Sequence, residues 1–458
     1  MTISDPSQAC DIAIIGGGAA GVLVAINLLR SATTARRVVL VEPDPPGNGV
    51  AYATRYPEHL LNVPAGKMSG FPELPDDFLD YLVEQQALPQ LQRDVLAKTF
   101  VPRLHYAAYL QQRLQQARDA SLAQLEILTG RVAAITKQAE GLRLQLDSGA
   151  VLQAGAAVLC VGNALRPLPA PGAASLPAEQ LSQAWDFPSV RAIPATADVA
   201  IVGSGLSMAD SVVSLLANGH RGQLHVLSRH ALLPLPHAKG PAADYDPQPL
   251  LAMNLRQRLR ALRRHAVEAA TCGIPWQNVM ERIRPMGQAL WQTLSAADQR
   301  RFLRHVVRYW DVHRHRIATS IHSQLLDLQQ QGRLQVHRAR LQEVAGKGGR
   351  LRLLGHGPHR QALQLEVDHV INATGVETRV GAMRDPLLQQ LLASGSARPG
   401  PHGIGVDTAA DASLLDAAGQ PDPRIRVVGS LRIGNLWESL AIPELRAQAA
   451  QAAAALPT

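Results

Sequence analysis

One stretch near the start of the chain constrains the fold more than any other. It begins with an apolar run and ends with a second apolar run and Glu42, and the loop and helix between them contain Gly16, Gly18 and Gly21. In this pattern the first glycine permits a tight turn, the second lets the backbone approach a pyrophosphate, and the third lets the helix pack closely on the strand. Glu42 follows Gly21 by 21 residues, where an acidic side chain can accept a hydrogen bond from a ribose 2′-hydroxyl. The sequence therefore predicts a dinucleotide-binding strand, turn and helix.

The same pattern returns in the second half of the chain, which predicts a second dinucleotide site. An apolar run precedes Gly203 and Gly205, and a further apolar strand ends at Ser228. After each copy come short alternating strands and then an apolar strand that ends at a glycine, Gly162 in the first copy and Gly375 in the second. This repeat predicts an α/β fold with two Rossmann-like dinucleotide-binding domains, each with a β-meander, the second domain being inserted into the first.

The two copies differ at the position that would contact the ribose. Gly18 and Glu42 are 24 positions apart, and so are Gly205 and Arg229, so an arginine takes the place of the acid. Arginine suits a 2′-phosphate because its fork-shaped guanidinium forms charge-assisted hydrogen bonds with phosphate oxygens, and Ser228 is a second candidate donor. The second copy is therefore predicted to bind NADPH in preference to NADH. The alternative is that Arg229 merely caps the end of the strand and has no role in cofactor binding.

The repeat also divides the chain. Residues 1–165 and 376–458 are predicted to form the first domain, and residues 195–375 the second, which includes an arginine-rich helical segment at 250–330. Between positions 251 and 320 there are 13 Arg, no Lys and four acids, whereas the net charge of the whole chain is +8. Apolar residues at helical spacing run through this segment, which favours helices that pack around a small core and carry the arginines on their solvated faces. A site for an anionic small molecule is the first alternative, and a nucleic-acid surface is the less favoured one.

Several other kinds of protein and site are disfavoured. The apolar run at 12–29 is interrupted by four glycines and belongs to the loop and helix described above, so no membrane span is predicted. Without a signal-peptide pattern, the sequence predicts a cytoplasmic protein. The three cysteines, Cys10, Cys160 and Cys272, form no C-x-x-C motif, which argues against a redox-disulfide or zinc site. No metal site is predicted at His313 either, because the next histidine is two positions away and would not share its helix face.

Together these motifs resemble flavoproteins with two dinucleotide-binding domains, in which FAD occupies the first glycine loop and NAD(P)H the second. More narrowly, the sequence resembles a bacterial family of FAD/NAD(P)-binding proteins that is related to the flavin-dependent N-hydroxylating monooxygenases. The motifs that carry this resemblance lie at 49–52, 61–64, 68–69, 203–210, 219–222, 227–229 and 437–448. The chain departs from the wider fold at Gly162, where A-T-G is usual, and at Ser430, where an aspartate usually binds the flavin ribityl chain.

The resemblance implies an FAD-dependent, NADPH-using oxidoreductase. Its relatives suggest a monooxygenase that uses molecular oxygen to N-hydroxylate, or similarly oxygenate, a small-molecule substrate through a C4a-hydroperoxyflavin. Two alternatives stay open: an NAD(P)H-dependent flavin reductase or dehydrogenase that passes electrons to a quinone or protein, and a flavin-binding redox sensor or scaffold. The disulfide-reductase and Baeyer–Villiger branches are disfavoured, since the cysteine pair of the former and the F-x-G-x-x-x-H-x-x-x-W pattern of the latter are missing. Neither the substrate nor the oligomeric state is predicted.

The candidate catalytic residues come from loops. The long loop after Glu42 combines turn formers with aromatic and amide groups and needs a functional reason. Such a loop can cross toward the far end of the ligand, so Asn62 is the first candidate for a polar contact with flavin or substrate, followed by His59 and Trp437. The alternative is an elaborate surface connection in which these residues are structural.

The candidate cofactor-binding residues are those of the two glycine loops, the strand ends and the last helix. That helix, expected to start at Ile442, would aim its positive N-terminal end at the flavin pyrimidine edge. The full set is Gly16, Gly18, Ala19, Ala20, Gly21, Glu42, Asn62, Val132, Gly162, Gly203, Gly205, Leu206, Ser207, Ser228, Arg229, Gly375, Gly429, Ser430 and Ile442.

Overall fold

The computed structural model describes residues 9–456, and the chain divides into two compact units. The first unit contains the residues up to Arg55, then Pro64–Ala164, and the residues from Glu377 onward. The second contains Tyr56–Val63 and Leu165–Val376.

The strands, in chain order, are β1 Ala9–Ile15, β2 Arg37–Val41, β3 Gln124–Leu128, β4 Val132–Lys137, β5 Leu142–Leu146, β6 Val151–Leu159, β7 Ala164–Leu165, β8 Leu181–Gln183, β9 Val199–Val202, β10 Leu224–Ser228, β11 Leu334–Arg338, β12 Arg340–Lys347, β13 Arg350–His356, β14 Ala362–Val367, β15 His369–Asn372, β16 Val376–Glu377, β17 Ser413–Leu415 and β18 Pro421–Val427. The α-helices are α1 Ala19–Arg30, α2 Gly49–Tyr52, α3 Asp77–Glu84, α4 Arg93–Ala97, α5 Arg103–Ala120, α6 Phe187–Arg191, α7 Leu206–Ala217, α8 Leu255–Thr271, α9 Trp276–Ile283, α10 Gly287–Gln292, α11 Ala296–Arg301, α12 Val307–Arg314, α13 Thr319–Gln330, α14 Pro386–Ala393, α15 Ile433–Leu436 and α16 Ile442–Ala454.

A sheet of eight strands forms the centre of the first unit. Strands β18, β6, β1, β2 and β3 run parallel in that order, β17 pairs antiparallel with β18, and β4 and β5 extend β6 as an antiparallel meander. The last four residues of β1 are at most 4% exposed, as expected for a central parallel strand covered on both faces. Helix α1 packs against α5 and α16.

The second unit contains a smaller parallel sheet and a separate meander. Strands β11, β10, β9, β15 and β8 run parallel in that order, and β12, β13 and β14 form an antiparallel sheet of three strands. Both units therefore combine a parallel, Rossmann-like sheet with an antiparallel meander, which confirms the predicted fold class. In the part of the chain that the structure describes, no helix is long and apolar enough to cross a membrane.

Two features differ from the predicted domain limits. Residues 56–63 fall within the predicted first domain but pack into the second unit. Residues 166–194 lie outside both predicted domains, yet β8 in this stretch is an edge strand of the second sheet. A three-residue strand and a loop held by side-chain contacts carry too little periodicity to be assigned from the sequence.

The arginine-rich segment folds into helices α8–α13, and its arginines are not all solvated. Arg258 is 5% exposed, and its guanidinium donates hydrogen bonds to the carbonyls of Met253 (2.7 Å), Leu251 (3.0 Å) and Leu290. Arg316 is 3% exposed and forms an ion pair with the carboxylate of Glu281. The interpretation of these arginines as solvated faces is wrong at such positions, because Arg258 supplies donors to backbone carbonyls near helix ends and Arg316 pairs with a carboxylate.

Candidate nucleotide-binding sites

The first glycine loop lies at the carboxyl ends of β1, β2 and β6. The amide of Gly16 donates a hydrogen bond to the carbonyl of Val41 at 3.0 Å. Gly16 has a φ of +101°, and a Cβ added there would lie 2.5 Å from the carbonyl oxygen of Cys160. A Cβ at Gly21 would overlap the carbonyl oxygen of Gly16. Both positions therefore require glycine, for the tight turn and for the close approach of helix to strand that the motif predicts.

The N-terminus of α1 leaves room for an anion. Gly18 is the N-cap, no side chain caps the helix, and its first turn contains Ala19 and Ala20 and no acidic residue. Among the described atoms, a Cβ at Gly18 would meet only the Cα of Gly49 within 4 Å, at a distance of 3.6 Å. Exposed helix amides with the positive end of the helix dipole make such a terminus an anion-binding site.

Glu42 stands beside this loop, one residue after the end of β2. Its carboxylate accepts hydrogen bonds from the amide of Gly17 and, at 3.3 Å, from the amide of Asp44. A Cβ at Gly17 would lie 2.8 Å from the Cβ and Cγ of Glu42, so a third glycine in the run is needed for the acid to reach the loop. The candidate set omits Gly17, although the unbroken run of three glycines marks it in the sequence. The carbonyl of Glu42 also accepts from the amide of Gly130 at 3.4 Å, two residues before Val132 at the start of β4.

The end of the last strand reaches the same edge of the sheet. The hydroxyl of Ser430 donates to the carbonyl of Val161 at 3.1 Å, which places Ser430 beside the exposed Gly162. Gly429 has a φ of +93°, and a Cβ there would lie 3.5 Å from the Cβ of Ala20 at the start of α1. The structure thus brings these strand-end residues to the first glycine loop.

Helix α16 holds this strand end in place through Gln448. Its side-chain oxygen accepts from the amide of Gly429 at 3.1 Å, and its side-chain nitrogen donates to the carbonyl of Ser439 at 3.0 Å. Helix α16 begins at the buried Ile442, as predicted, and Glu444 lies in its first turn. Gln448 ends the motif at 437–448, but the sequence does not indicate that its side chain is buried, because glutamines in amphipathic helices usually face water.

The three candidate catalytic residues fall in different units. Trp437 belongs to the first, where it ends α15 with a φ of +59°, an uncommon conformation for a bulky residue. His59 belongs to the second and is 0% exposed, with its Nε2 2.7 Å from the Oγ of Ser214 and its ring 4.1 Å from that of Phe187. A buried imidazole of this kind has the surroundings of a packing residue. The carbonyl of Asn62, also in the second unit, lies 3.0 Å from the Nε2 of His237. The catalytic roles of Asn62, His59 and Trp437 stay predictions.

The second glycine loop has the same construction in the second unit. Gly203 has a φ of +115°, and a Cβ there would overlap the carbonyl oxygen of Ala373 at the end of β15, two residues before Gly375. Gly205 is the N-cap of α7, and a Cβ added to it would meet no described atom within 4 Å. Helix α7 begins at Leu206, and the Oγ of Ser207 accepts from the indole nitrogen of Trp185 at 3.1 Å. The open side of Gly205 is therefore the place where a phosphate has access to the helix terminus.

Ser228 ends β10 and Arg229 follows it, at the place where the motif predicts a 2′-phosphate contact. The Oγ of Ser228 lies 2.9 Å from the Oγ of Ser204 in the glycine loop and accepts from the amide of Ala231 at 2.9 Å. Arg229 is exposed, and its pKa is lowered by partial burial and by the positive charges of neighbouring arginines. Its guanidinium is therefore held in a positive field at the edge of the loop.

The fold and the two glycine loops define a protein with two Rossmann-like dinucleotide-binding domains. Residues 13–164 are similar to the FAD-NAD(P)-binding family. This match confirms the resemblance to FAD/NAD(P)-binding proteins. None of the curated proteins matches the chain significantly.

Solved structures share the fold over the whole chain. The reduced ornithine hydroxylase of Pseudomonas aeruginosa is 17% identical with a TM-score of 0.67, and the ornithine N-hydroxylase of Kutzneria sp. 744 is 15% identical with a TM-score of 0.69. The L-lysine 6-monooxygenase of Pseudomonas syringae is 17% identical with a TM-score of 0.67. Each comparison covers 98% of this chain and 99% of the other. At these identities the likeness is one of fold.

Proposed function

We propose that the protein is an FAD-dependent, NADPH-using oxidoreductase, specifically a monooxygenase that uses molecular oxygen to N-hydroxylate or similarly oxygenate a small molecule. The observation that carries this proposal is the similarity of the chain, over 98% of its length, to an ornithine hydroxylase, an ornithine N-hydroxylase and an L-lysine 6-monooxygenase. The Kutzneria structure contains reduced FAD, NADP⁺ and L-ornithine. Because fold alone does not fix chemistry, the proposal also depends on whether this chain's own residues suit both cofactors.

The residues of the first unit fit FAD. The N-terminus of α1 offers amides and an open backbone at Gly18 to a pyrophosphate, and Glu42 lies beside the loop, within reach of a ribose hydroxyl. The N-terminus of α16 would stabilise negative charge on a bound flavin by about 0.3–1 kcal/mol. When bound, FAD would supply hydride acceptance and oxygen activation, whereas the protein supplies placement and exclusion of water.

The residues of the second unit fit NADPH. The open backbone at Gly205 suits the pyrophosphate, and the guanidinium of Arg229 suits a 2′-phosphate. An exposed arginine in a positive field attracts a dianionic phosphate more strongly than the uncharged 2′-hydroxyl of NADH.

The cysteines offer no route for a dithiol relay. Burial raises the pKa of Cys10 to about 12 and also raises that of Cys160, so neither thiol forms a reactive thiolate near neutral pH. Cys272 is exposed, and all three are free thiols. A reductase that passes electrons through a cysteine pair is therefore disfavoured against direct transfer to oxygen or to a small acceptor.

The test is substrate-dependent NADPH consumption by the FAD-loaded protein in air. Ornithine, lysine and diamines should raise the rate of NADPH oxidation, with a hydroxylamine product in proportion and little hydrogen peroxide. Matched substrates with the terminal amine replaced by a hydroxyl should give no product. Stimulation by quinones without any oxygenated amine would support the reductase alternative instead, and a protein that does not retain FAD would overturn the proposal.

We propose a cytoplasmic location as well, where NADPH is regenerated, which fractionation of cells would test.

A further inference from the structure

The carboxyl ends of β10 and β11 bring several arginines together beside the second glycine loop. These strands are parallel, with Ser228 directly opposite Arg338, and the amide of Ala339 donates to the carbonyl of Ser228 at 2.9 Å. Arg229 follows the first strand, and Arg340 begins β12 just after the second. Parallel strands end at one edge of a sheet, so these guanidiniums share the edge where Rossmann-like folds bind their ligands.

The arginine-rich helical segment reaches the same edge. The ring of His230 lies 5.8 Å from the ring of Tyr309 on α12, so the start of this helix lies over the segment that follows β10. Arg308 immediately precedes Tyr309. The carboxylate of Asp311, one turn along the helix, lies 3.3 Å from the Nη1 of Arg308.

The charges at this edge are nearly all positive. Besides burial, the groups that lower the pKa of Arg229 are Arg308, Arg166 and Arg340. Burial together with Arg229, Arg338 and Arg308 lowers the pKa of His230. Arg308 thus acts on both Arg229 and His230, and no acidic group among the described residues offsets these effects on the pKa values. Mutual repulsion of this kind destabilises the protein alone, and it is relieved when a dianion binds among the guanidiniums.

We propose that Arg308, on helix α12, is a second guanidinium for the 2′-phosphate of NADPH and sets the cofactor specificity together with Arg229. This inference rests on the proposed function, because it concerns the NADPH of the same site. Two arginines can each present a planar fork to a phosphate with three terminal oxygens. The arginine-rich segment, inserted between β10 and β11, then has a binding role in addition to its own helical core.

The experiment is calorimetric titration of the purified protein with two probes that need no flavin chemistry. Adenosine 2′,5′-bisphosphate carries the 2′-phosphate, and 5′-AMP lacks it. Arg308→Ala should weaken binding of the bisphosphate by about 10-fold, or ~1.4 kcal/mol, while binding of 5′-AMP changes less than about twofold. Arg229→Ala should act similarly. Arg263→Ala on α8 removes an exposed arginine from the same helical segment and serves as the matched control, with both affinities unchanged.

The outcomes separate the inference from the proposed function. If Arg229→Ala weakens the bisphosphate and Arg308→Ala does not, the role of Arg308 is overturned and the NADPH site stands. If the unaltered protein binds both probes equally, the NADPH preference itself fails. Should Arg308→Ala weaken both probes alike, Arg308→Lys decides: a selective loss for the bisphosphate supports the fork-shaped contact, and full retention overturns it.

Discussion

Replacing Arg258 with methionine should destabilise the second unit strongly, because this buried guanidinium satisfies several helix ends at once. It donates to three backbone carbonyls, at residues 251, 253 and 290, and to the Oγ of Thr293 at 2.9 Å. Burial lowers its pKa, which reflects the cost of desolvating the charge. Methionine keeps the length of the side chain and removes both the charge and the donors.

The magnitude follows from these contacts. Each of the three buried carbonyls costs about 1–3 kcal/mol when it loses its donor. In the opposite direction, the methionine variant avoids the cost of several kcal/mol for desolvating the guanidinium charge. We therefore expect a net loss of about 3 kcal/mol in the free energy of unfolding. With a urea dependence of about 1–3 kcal/mol per molar, the midpoint should fall by about 1 M or more.

Urea unfolding followed by tryptophan fluorescence measures this effect. Trp291 is 3% exposed and adjoins Leu290, whose carbonyl accepts from Arg258. The control is Arg263→Met on the same helix α8, where the side chain is exposed and the change should stay within about 0.5 kcal/mol. Equal midpoints for the two variants would refute the assignment of a stabilising role to the Arg258 contacts.

Three further predictions concern the fold around the two sites. Gly21→Ala should lower the free energy of unfolding by more than about 3 kcal/mol and abolish FAD retention, because the added methyl group overlaps a backbone carbonyl. The control is Gly162→Ala, which should leave the unfolding midpoint unchanged because no described atom lies within 4 Å of its added Cβ. Burial lowers the pKa of His369 to about 4, so the unfolded state binds a proton on this side chain more readily than the folded state does. The free energy of unfolding should therefore fall as the pH drops from about 6.5 toward 4, by up to ~1.4 kcal/mol per pH unit. A flat urea midpoint between pH 7 and pH 5, or an equal slope in His369→Asn, would contradict this. Gln448→Ala should leave the amide of Gly429 without its acceptor and cost about 1–3 kcal/mol, measured as a lower unfolding midpoint, whereas Gln448→Glu keeps the acceptor oxygen and should lose less.

Much of both glycine loops was predictable because their geometry is local. A turn with positive φ at Gly16 or Gly203 requires glycine whatever surrounds it, and the distance along the chain to Glu42 or Arg229 follows from the length of one helix and one strand. The apolar runs of β1 and β9 identify buried parallel strands for the same reason. The sequence alone therefore determined the fold class and the position of the glycines at the strand ends.

The remaining features depend on residues far apart in the chain. His59 packs against Ser214 across 155 positions, and no periodic pattern indicates that the loop around it belongs to the second unit. Sequence spacing cannot distinguish the buried Arg258 from the exposed Arg263 on the same helix, since both lie in one amphipathic run. Likewise, only the packing of α12 against the end of β10 brings Arg308 toward Arg229. Local sterics set each turn and strand, whereas burial and charge proximity are properties of the packed chain, so the tertiary structure alone decided which polar groups meet.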